Sequence, residues 1–359
     1  MSGSSVNKMV ETTTERGEAR AYKPSWIDRF NNRVRQLPTG AWIFYVLFGS
    51  ALIAVQMLIL WLEGGLGEVE IVPVIIFNGL FTPFLLGLIY HLDNRAVGAL
   101  HAMRAVLDTS EAEFERHEYR LVNMPAPLPL VAGLAVVVMV ILMERLWTVP
   151  ASYAALEQLP IFAAVFQVVD KSSAFLFGAF IYHTIRQLRL VNAIHAKHIR
   201  VNLFNLGPLR AFSRLTASTA VGLVLGVYGW MLINPELLTD PVIFGFAVAI
   251  TILALVVFVW PLYGVHKRMA AAKEEALREM DLRFEAVFSK FNQRFGEEDY
   301  AGIERLNGTI ASLEIQQRKI RAIATWPWRP DTVRSVLAAI ALPLVLTVIQ
   351  YVVEGAFSP

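Results

Sequence analysis

Seven long apolar runs recur along this chain, separated by polar segments of unequal length. They are Ala41 to Leu62, Ile71 to Leu92, Leu128 to Leu146, Pro160 to Ile185, Thr216 to Ile233, Val242 to Gly264 and Val333 to Val353. A bilayer core takes ~20 apolar residues as a helix, whereas a membrane β-barrel shows ~10-residue segments of alternating polarity. These runs are continuous and rich in Leu, Val and Ala. They predict an all-α polytopic membrane protein with seven transmembrane helices.

Charge gives the runs a direction. All of the 32 Lys and Arg residues except Arg145 and Lys171 fall on one side of the spans. The connections Glu63 to Glu70, Trp147 to Leu159 and Asn234 to Pro241 contain none. Cytoplasmic loops are enriched in Lys and Arg, so the expected topology is N-inside and C-outside, in the cell (plasma) membrane. The first forty residues are polar and basic with no apolar segment near the start, so no signal peptide is expected and the first span acts as an anchor. Met1 to Ala21 has a disordered composition. Tyr22 to Leu37 predicts an interfacial helix with Trp26, Ile27, Phe30, Val34 and Leu37 on one face.

The polar connections also carry helical pattern. Span 2 contains Pro73 and Pro83, which predict a kink. Asp93 to Met124 reads as a charged cytoplasmic hairpin or long helix, with Asp108 or Thr109 as a cap for a helix starting at Glu111. Span 4 continues through Thr184 to Asn205 and stops at Gly207-Pro208. Beyond span 6, Val265, Met269, Ala272, Ala276, Met280, Phe284, Val287 and Phe291 form one helical stripe. After a turn near Gly296 to Asp299, the positions Ile303, Leu306, Ile310, Leu313, Gln317 and Ile320 alternate by three and four, the period of a helix-pairing seam. Trp326-Pro327-Trp328-Arg329-Pro330 breaks that helix at the inner interface. The expected organisation is a cytoplasmic tail (1–40), six membrane helices with helical loops (41–264), a coiled-coil-like cytoplasmic part (265–329) and a seventh membrane helix with an outer tail (330–359). The last helix is thus split, and spans 4 and 6 extend into the cytoplasm.

Composition removes several classes of function. Hydrophobic residues make up 55% of the chain and cysteine is absent, which excludes disulfides, thiolate chemistry and Cys-ligated metals. No phosphate loop, HExxH or GxSxG motif occurs, and nothing in the pattern points to nucleic acid. His195 and His198 are spaced i, i+3 without a third ligand. No enzyme activity, cofactor or metal is therefore expected, and membrane lipid is the obligatory partner.

Two constellations remain. Asp170-Lys171-Ser172-Ser173 interrupts the apolar run of span 4. Ionisable groups at that depth are costly and face a cavity or a partner. Adjacent residues point ~100° apart on a helix, so Asp170 and Lys171 are not expected to satisfy each other side by side. Glu144 and Arg145 on span 3 are the candidate partners, and together these six residues mark either an outward-facing cavity for an ion or ligand or a structural interhelical salt bridge. In span 7, Pro343, Thr347, Gln350 and Glu354 share a face that continues inward as Ile340 and Val336, with Leu346 beside it. A stripe polar outside and apolar inside suits a pore with a hydrophobic constriction. It equally suits a Gln350 that bonds a neighbouring helix. Ser218, Gly222 and Gly226 form a small-residue face on span 5.

This outline resembles the insect odorant and gustatory receptor superfamily of seven-helix ion channels. The shared points are the N-inside topology, long spans 4 to 6 and a last helix split into 303–324 and 333–353. The resemblance implies a homotetramer held by the cytoplasmic halves, with the membrane halves lining a central pore. In the last helix that family has Thr-Tyr, hydrophobics and then Gln-Phe. Here the residues are Thr347-Val348-Ile349-Gln350-Tyr351, and no family site residue transfers. The leading expectation is a homo-oligomeric ion channel with helix 7 lining the pore and a small-molecule ligand as the candidate gate. The alternatives are a membrane-anchored signalling or scaffold protein that binds a cytoplasmic partner, and a transporter using Asp170 and Lys171.

Overall fold

The structure, a computed structural model, describes residues 22–38, 40–67, 71–145, 153, 155–198, 203, 207, 210–233, 241–296, 300–328 and 330–341. Among these residues the fold is all-helical, as an apolar environment demands: with no water to satisfy backbone N–H and C=O groups, a helix pairs them internally. The elements are α1 (Trp26–Arg35), α2 (Ala41–Leu62), α3 (Val72–Ala102), α4 (Glu111–Val122), α5 (Pro127–Glu144), α6 (Ala155–Gln158), α7 (Pro160–His198), α8 (Ser213–Ile233), α9 (Pro241–Gly296), α10 (Tyr300–Arg321) and α11 (330–341). Six of them, α2, α3, α5, α7, α8 and α9, are long and apolar enough to cross a membrane. The seventh run is described only through 341. Its pore-lining candidates Pro343, Leu346, Thr347, Gln350 and Glu354 lie outside the described residues.

The two extended spans are single helices. The 39 residues of α7 and 56 of α9 give lengths of ~58 and ~84 Å at 1.5 Å per residue, well beyond a ~30 Å hydrocarbon core. Neither Pro261 in α9 nor Pro83 in α3 ends its helix. α3 also runs to Ala102, so Asp93 sits within a helix and not at the start of a loop. The cap of α4 is Ser110, whose side chain accepts from the Glu113 N–H; it is neither Asp108 nor Thr109.

α1 differs from its expected place against lipid. Its apolar face docks on the bundle: Ile27 and Val34 belong to the main core, and Trp26 and Phe30 pack on it. A capping box between Ser25 and Asp28 starts the helix, and Asp28 Oδ2 also accepts from Met124 N at 2.8 Å. That bond ties the amino-terminal segment to the start of α5.

α3 and α8 are the most buried spans, while α2 and α5 leave most of their surface free. Glycines set the closest crossings. A Cβ on Gly178 of α7 would lie 2.4 Å from the Ala132 carbonyl oxygen of α5, and one on Gly79 of α3 would lie 2.6 Å from Ile53 of α2. Gly222 and Gly226 of α8 lie against Leu88 and Phe81 of α3, the close-packing face their spacing predicts.

α10 folds back on α9. Leu313 and Ile320 pack with Met280, Leu277, Phe284 and Val287, and Gln317 Nε2 donates to Asp281 Oδ1 at 2.6 Å. Lys273 Nζ donates to the carbonyls of Arg321 (2.6 Å) and Ile323 (2.8 Å), satisfying orphan acceptors at the carboxyl end of α10. The partner of this part of the seam is therefore a helix of the same chain. Trp326 and Trp328 then stack on each other and on His266 and Phe258 of α9. In α11, Val336 lies in the main core with Val333 and Ile340 packed against it, and Leu337, at the flank of that face, is exposed.

Two glycine substitutions separate close packing from helix propensity. Gly178→Ala is expected to lower the midpoint of thermal unfolding by several degrees, because its methyl group meets backbone. Gly98→Ala, in open space on α3, is expected to leave the midpoint unchanged or to add up to ~1 kcal/mol of stability. Thermal unfolding of the purified protein followed by tryptophan fluorescence measures both, and equal midpoints for the two variants would contradict the packing.

Candidate binding site

A cavity of about 500 Å³ lies between α3, α5, α7 and α8, with Tyr153 and Leu156 at one end. Its position follows from α7. Glu63, after α2, caps that helix: its carboxylate accepts from Ile161 N (3.1 Å) and Phe162 N (2.6 Å). A carboxylate at a helix amino terminus satisfies orphan donors and complements the macrodipole. Ten residues after Pro160, or ~15 Å along the helix, α7 presents Asp170.

The walls are mainly aromatic and aliphatic: Phe77 and Phe81 from α3, Met139 and Met143 from α5, Phe166 and Phe177 from α7. Asn78, Gln167 and Ser173 add uncharged polar groups. Two of these are committed to helix pairing. Asn78 Nδ2 donates to the Phe166 carbonyl at 3.4 Å, and Ser173 Oγ lies 2.8 Å from Thr82 Oγ1. Trp230 hydrogen-bonds the Tyr153 hydroxyl, and Tyr153 meets Phe166 edge-on at 5.9 Å between centroids.

Of the six residues singled out in the sequence, Glu144, Asp170 and Ser173 line this cavity. Lys171 joins the two acids: its ammonium contacts Asp170 Oδ2 at 2.8 Å and Glu144 Oε1 of α5. The expectation that Asp170 and Lys171 cannot pair side by side is therefore corrected. A four-carbon stem is long enough to bring the ammonium back beside the preceding carboxylate while it also reaches the next helix. Ser172 is turned away, donating to the Val168 carbonyl at 2.7 Å, and Arg145 is exposed at the end of α5.

A second polar cluster, which the sequence reading passed over, lies toward the other end of α7. His183 Nε2 is 3.0 Å from Asp93 Oδ1 of α3, both side chains almost wholly buried. Gln187 Nε2 donates to Asp93 Oδ1 at 3.3 Å and to the Leu121 carbonyl at 3.1 Å. Asn31 of α1 links Tyr45 of α2 to the Leu86 carbonyl of α3. Beside them Arg186 contacts the Tyr22 hydroxyl, and burial pushes that phenol up to about 12. Hints were present: a His inside the apolar stretch before Arg186 and an Asp directly after Leu92 are the ionisable intrusions that mark function or packing in a span. The seam positions Ile303, Leu306 and Ile310 belong to α10.

Searches of protein-family models, curated proteins and solved structures found no match to this chain.

Burial raises the Asp28 carboxyl above its ordinary range, against the opposing pull of the bonds from Met124 and Ser25 and the charge of His183. A carboxyl raised in the folded state holds its proton longer there than in the unfolded chain. Stability from this group is therefore greatest at low pH and falls as pH rises from the unfolded value near ~4 through the folded one. The unfolding midpoint of the protein, relative to that of Asp28→Asn, should decline over that window in a fluorescence-detected pH series. A pH-independent difference would contradict it.

Proposed function

We propose that this chain is a multi-pass plasma-membrane protein that binds a small molecule in the cavity between α3, α5, α7 and α8 and transmits occupancy to its cytoplasmic helices. The amino terminus is inside, and the cavity lies in the outer half of the bilayer. The observation that carries this reading is the cavity itself: about 500 Å³ of mostly apolar wall interrupted by the Asp170–Lys171–Glu144 contact. Ligand pockets in proteins have that size range and that sparse placement of polar groups. Charges are retained at such depth at a cost, and function is the default reason.

α7 supplies the route for transmission. It carries Asp170 on the cavity wall and His183 and Gln187 in the inner cluster on one uninterrupted helix. α9 runs from the membrane into the hairpin with α10, and α11 re-enters the bundle next to that hairpin. The output we propose is ion conduction along an axis shared by several copies, in keeping with the likeness to insect receptor channels. Because Val336 and Ile340 pack inward on their own bundle, such an axis would be met by the opposite face of α11, where Ser335 and Ala338 are exposed. The inward packing of Leu313 and Ile320 leaves any contact between copies to other surfaces.

The second reading is a signalling protein in which the α9–α10 hairpin engages a cytoplasmic partner. The exposed aromatic Phe288 next to Asp281, Glu285 and Glu314 favours it, since the groove has both apolar and charged parts.

Filling the cavity separates site from scaffold. Ala174→Phe places a ring in the cavity while Asp170, Lys171 and Glu144 are all kept. Potassium flux from proteoliposomes is expected for the parent chain and is expected to change at least threefold, in either direction, in this variant. Flux identical in both would overturn the link between cavity and output, and flux in neither would overturn conduction.

A further inference from the structure

The cavity carries a charge imbalance that its own residues do not settle. Glu144 and Asp170 are both on the wall, and a single ammonium, Lys171, serves both. One negative charge is left over. Arg145, the only other Lys or Arg between Arg120 and Arg186, is exposed, and the ion pairs of both carboxylates are with Lys171. The Glu144 and Asp170 side chains are 39% and 37% exposed, so a guest can reach them, and a carboxylate beside an apolar wall with no second counter-charge favours a cation.

The rest of the wall is suited to a positive guest. Phe77, Phe81, Phe166, Phe177, Tyr153 and Trp230 all contribute to it. Aromatic faces attract cations through their quadrupole, and the attraction grows when water is excluded. On the proposed topology, the sequence of the outer side has the same sign. The connecting segments 63–70, 147–159 and 234–241 hold Glu63, Glu68, Glu70, Glu157, Glu236 and Asp240 and no Lys or Arg. Charges of one sign around a low-dielectric cleft raise the local concentration of the opposite sign.

Resting on the reading of this cavity as a ligand site, we infer that it takes an amphipathic organic cation: a quaternary or protonated amine with an aromatic or branched apolar body. The positive centre sits by Asp170 and Glu144, opposite the Lys171 ammonium, and the body fills the space toward Phe77 and Phe81. Net charge at the wall is then zero. An anionic guest would add to the surplus, and a neutral one would leave it in place.

The test is equilibrium binding of radiolabelled (4-phenylbutyl)trimethylammonium to the full chain in lipid nanodiscs, with empty nanodiscs subtracted. The comparison is its uncharged isostere, in which carbon replaces nitrogen. Saturable binding is expected for the cation, at least tenfold tighter than for the isostere, a difference equal to about 1.4 kcal/mol. In Asp170→Asn the remaining carboxylate and Lys171 balance, so the preference is expected to vanish while the isostere binds as before. Glu144→Gln gives the same balance and serves if the first variant does not fold. Equal binding of cation and isostere to the parent chain would overturn the charge inference and leave the cavity reading standing. Binding of neither would overturn both.

Discussion

A charge inside hydrocarbon must find its counter-charge in the protein, and in this fold that requirement is met where Lys171 of α7 bridges Asp170 and Glu144. The contact joins α7 to α5 at one level of the bundle. At other points along the same pair, Gly133 and Gly178 bring the two backbones together so closely that neither position has room for a methyl group. Close approach at the glycines and a polar bridge at Glu144 fix how α5 lies on α7. The aromatic-lined cavity lies next to that bridge, between rings contributed by α3, α7 and α8.

The two polar clusters of α7 serve different ends. Around His183 the cluster is buried: Gln187 joins Asp93 to the Leu121 carbonyl, Asp28 clamps the neighbouring segment to Met124, and His183 Nδ1 and Gln187 Oε1 make no hydrogen bond among the described residues. Buried polar groups arranged that way specify one packing, because each lost partner leaves a desolvated group. Around Asp170 the cluster borders open space and its charges do not balance. The same helix thus carries a fully buried polar site and one that borders a cavity, about 20 Å apart by the helical rise.

Much of this fold is legible in the sequence, for a physical reason. A bilayer needs long apolar helices, so α2 can be delimited as Ala41 to Leu62 from composition alone, and the structure places it between those residues. The extensions of α7 and α9 are readable because their apolar stripe keeps helical period past the membrane. Periodicity says that a face is apolar, not what covers it. Hence the stripe of α1 suggested lipid but meets the core, and the seam through Leu313 and Ile320 suggested a second chain but meets α9. The Asp170 cluster was visible as charge within an apolar run, whereas Asp93 was hidden by sitting at the end of one, where it reads as the start of a loop. The reach of the Lys171 stem, and with it the shared ion pair, is a matter of rotamers that spacing alone does not give.

The most direct test of the central claim is a high-resolution structure of the full chain in a lipid nanodisc, viewed at Lys171. The account predicts the ammonium between Asp170 and Glu144, with a cavity beside it that is reached from the outer face and bounded by Phe77, Phe166 and Trp230. A collapsed, ring-filled space, with Asp170 and Glu144 turned toward lipid headgroups, would contradict it.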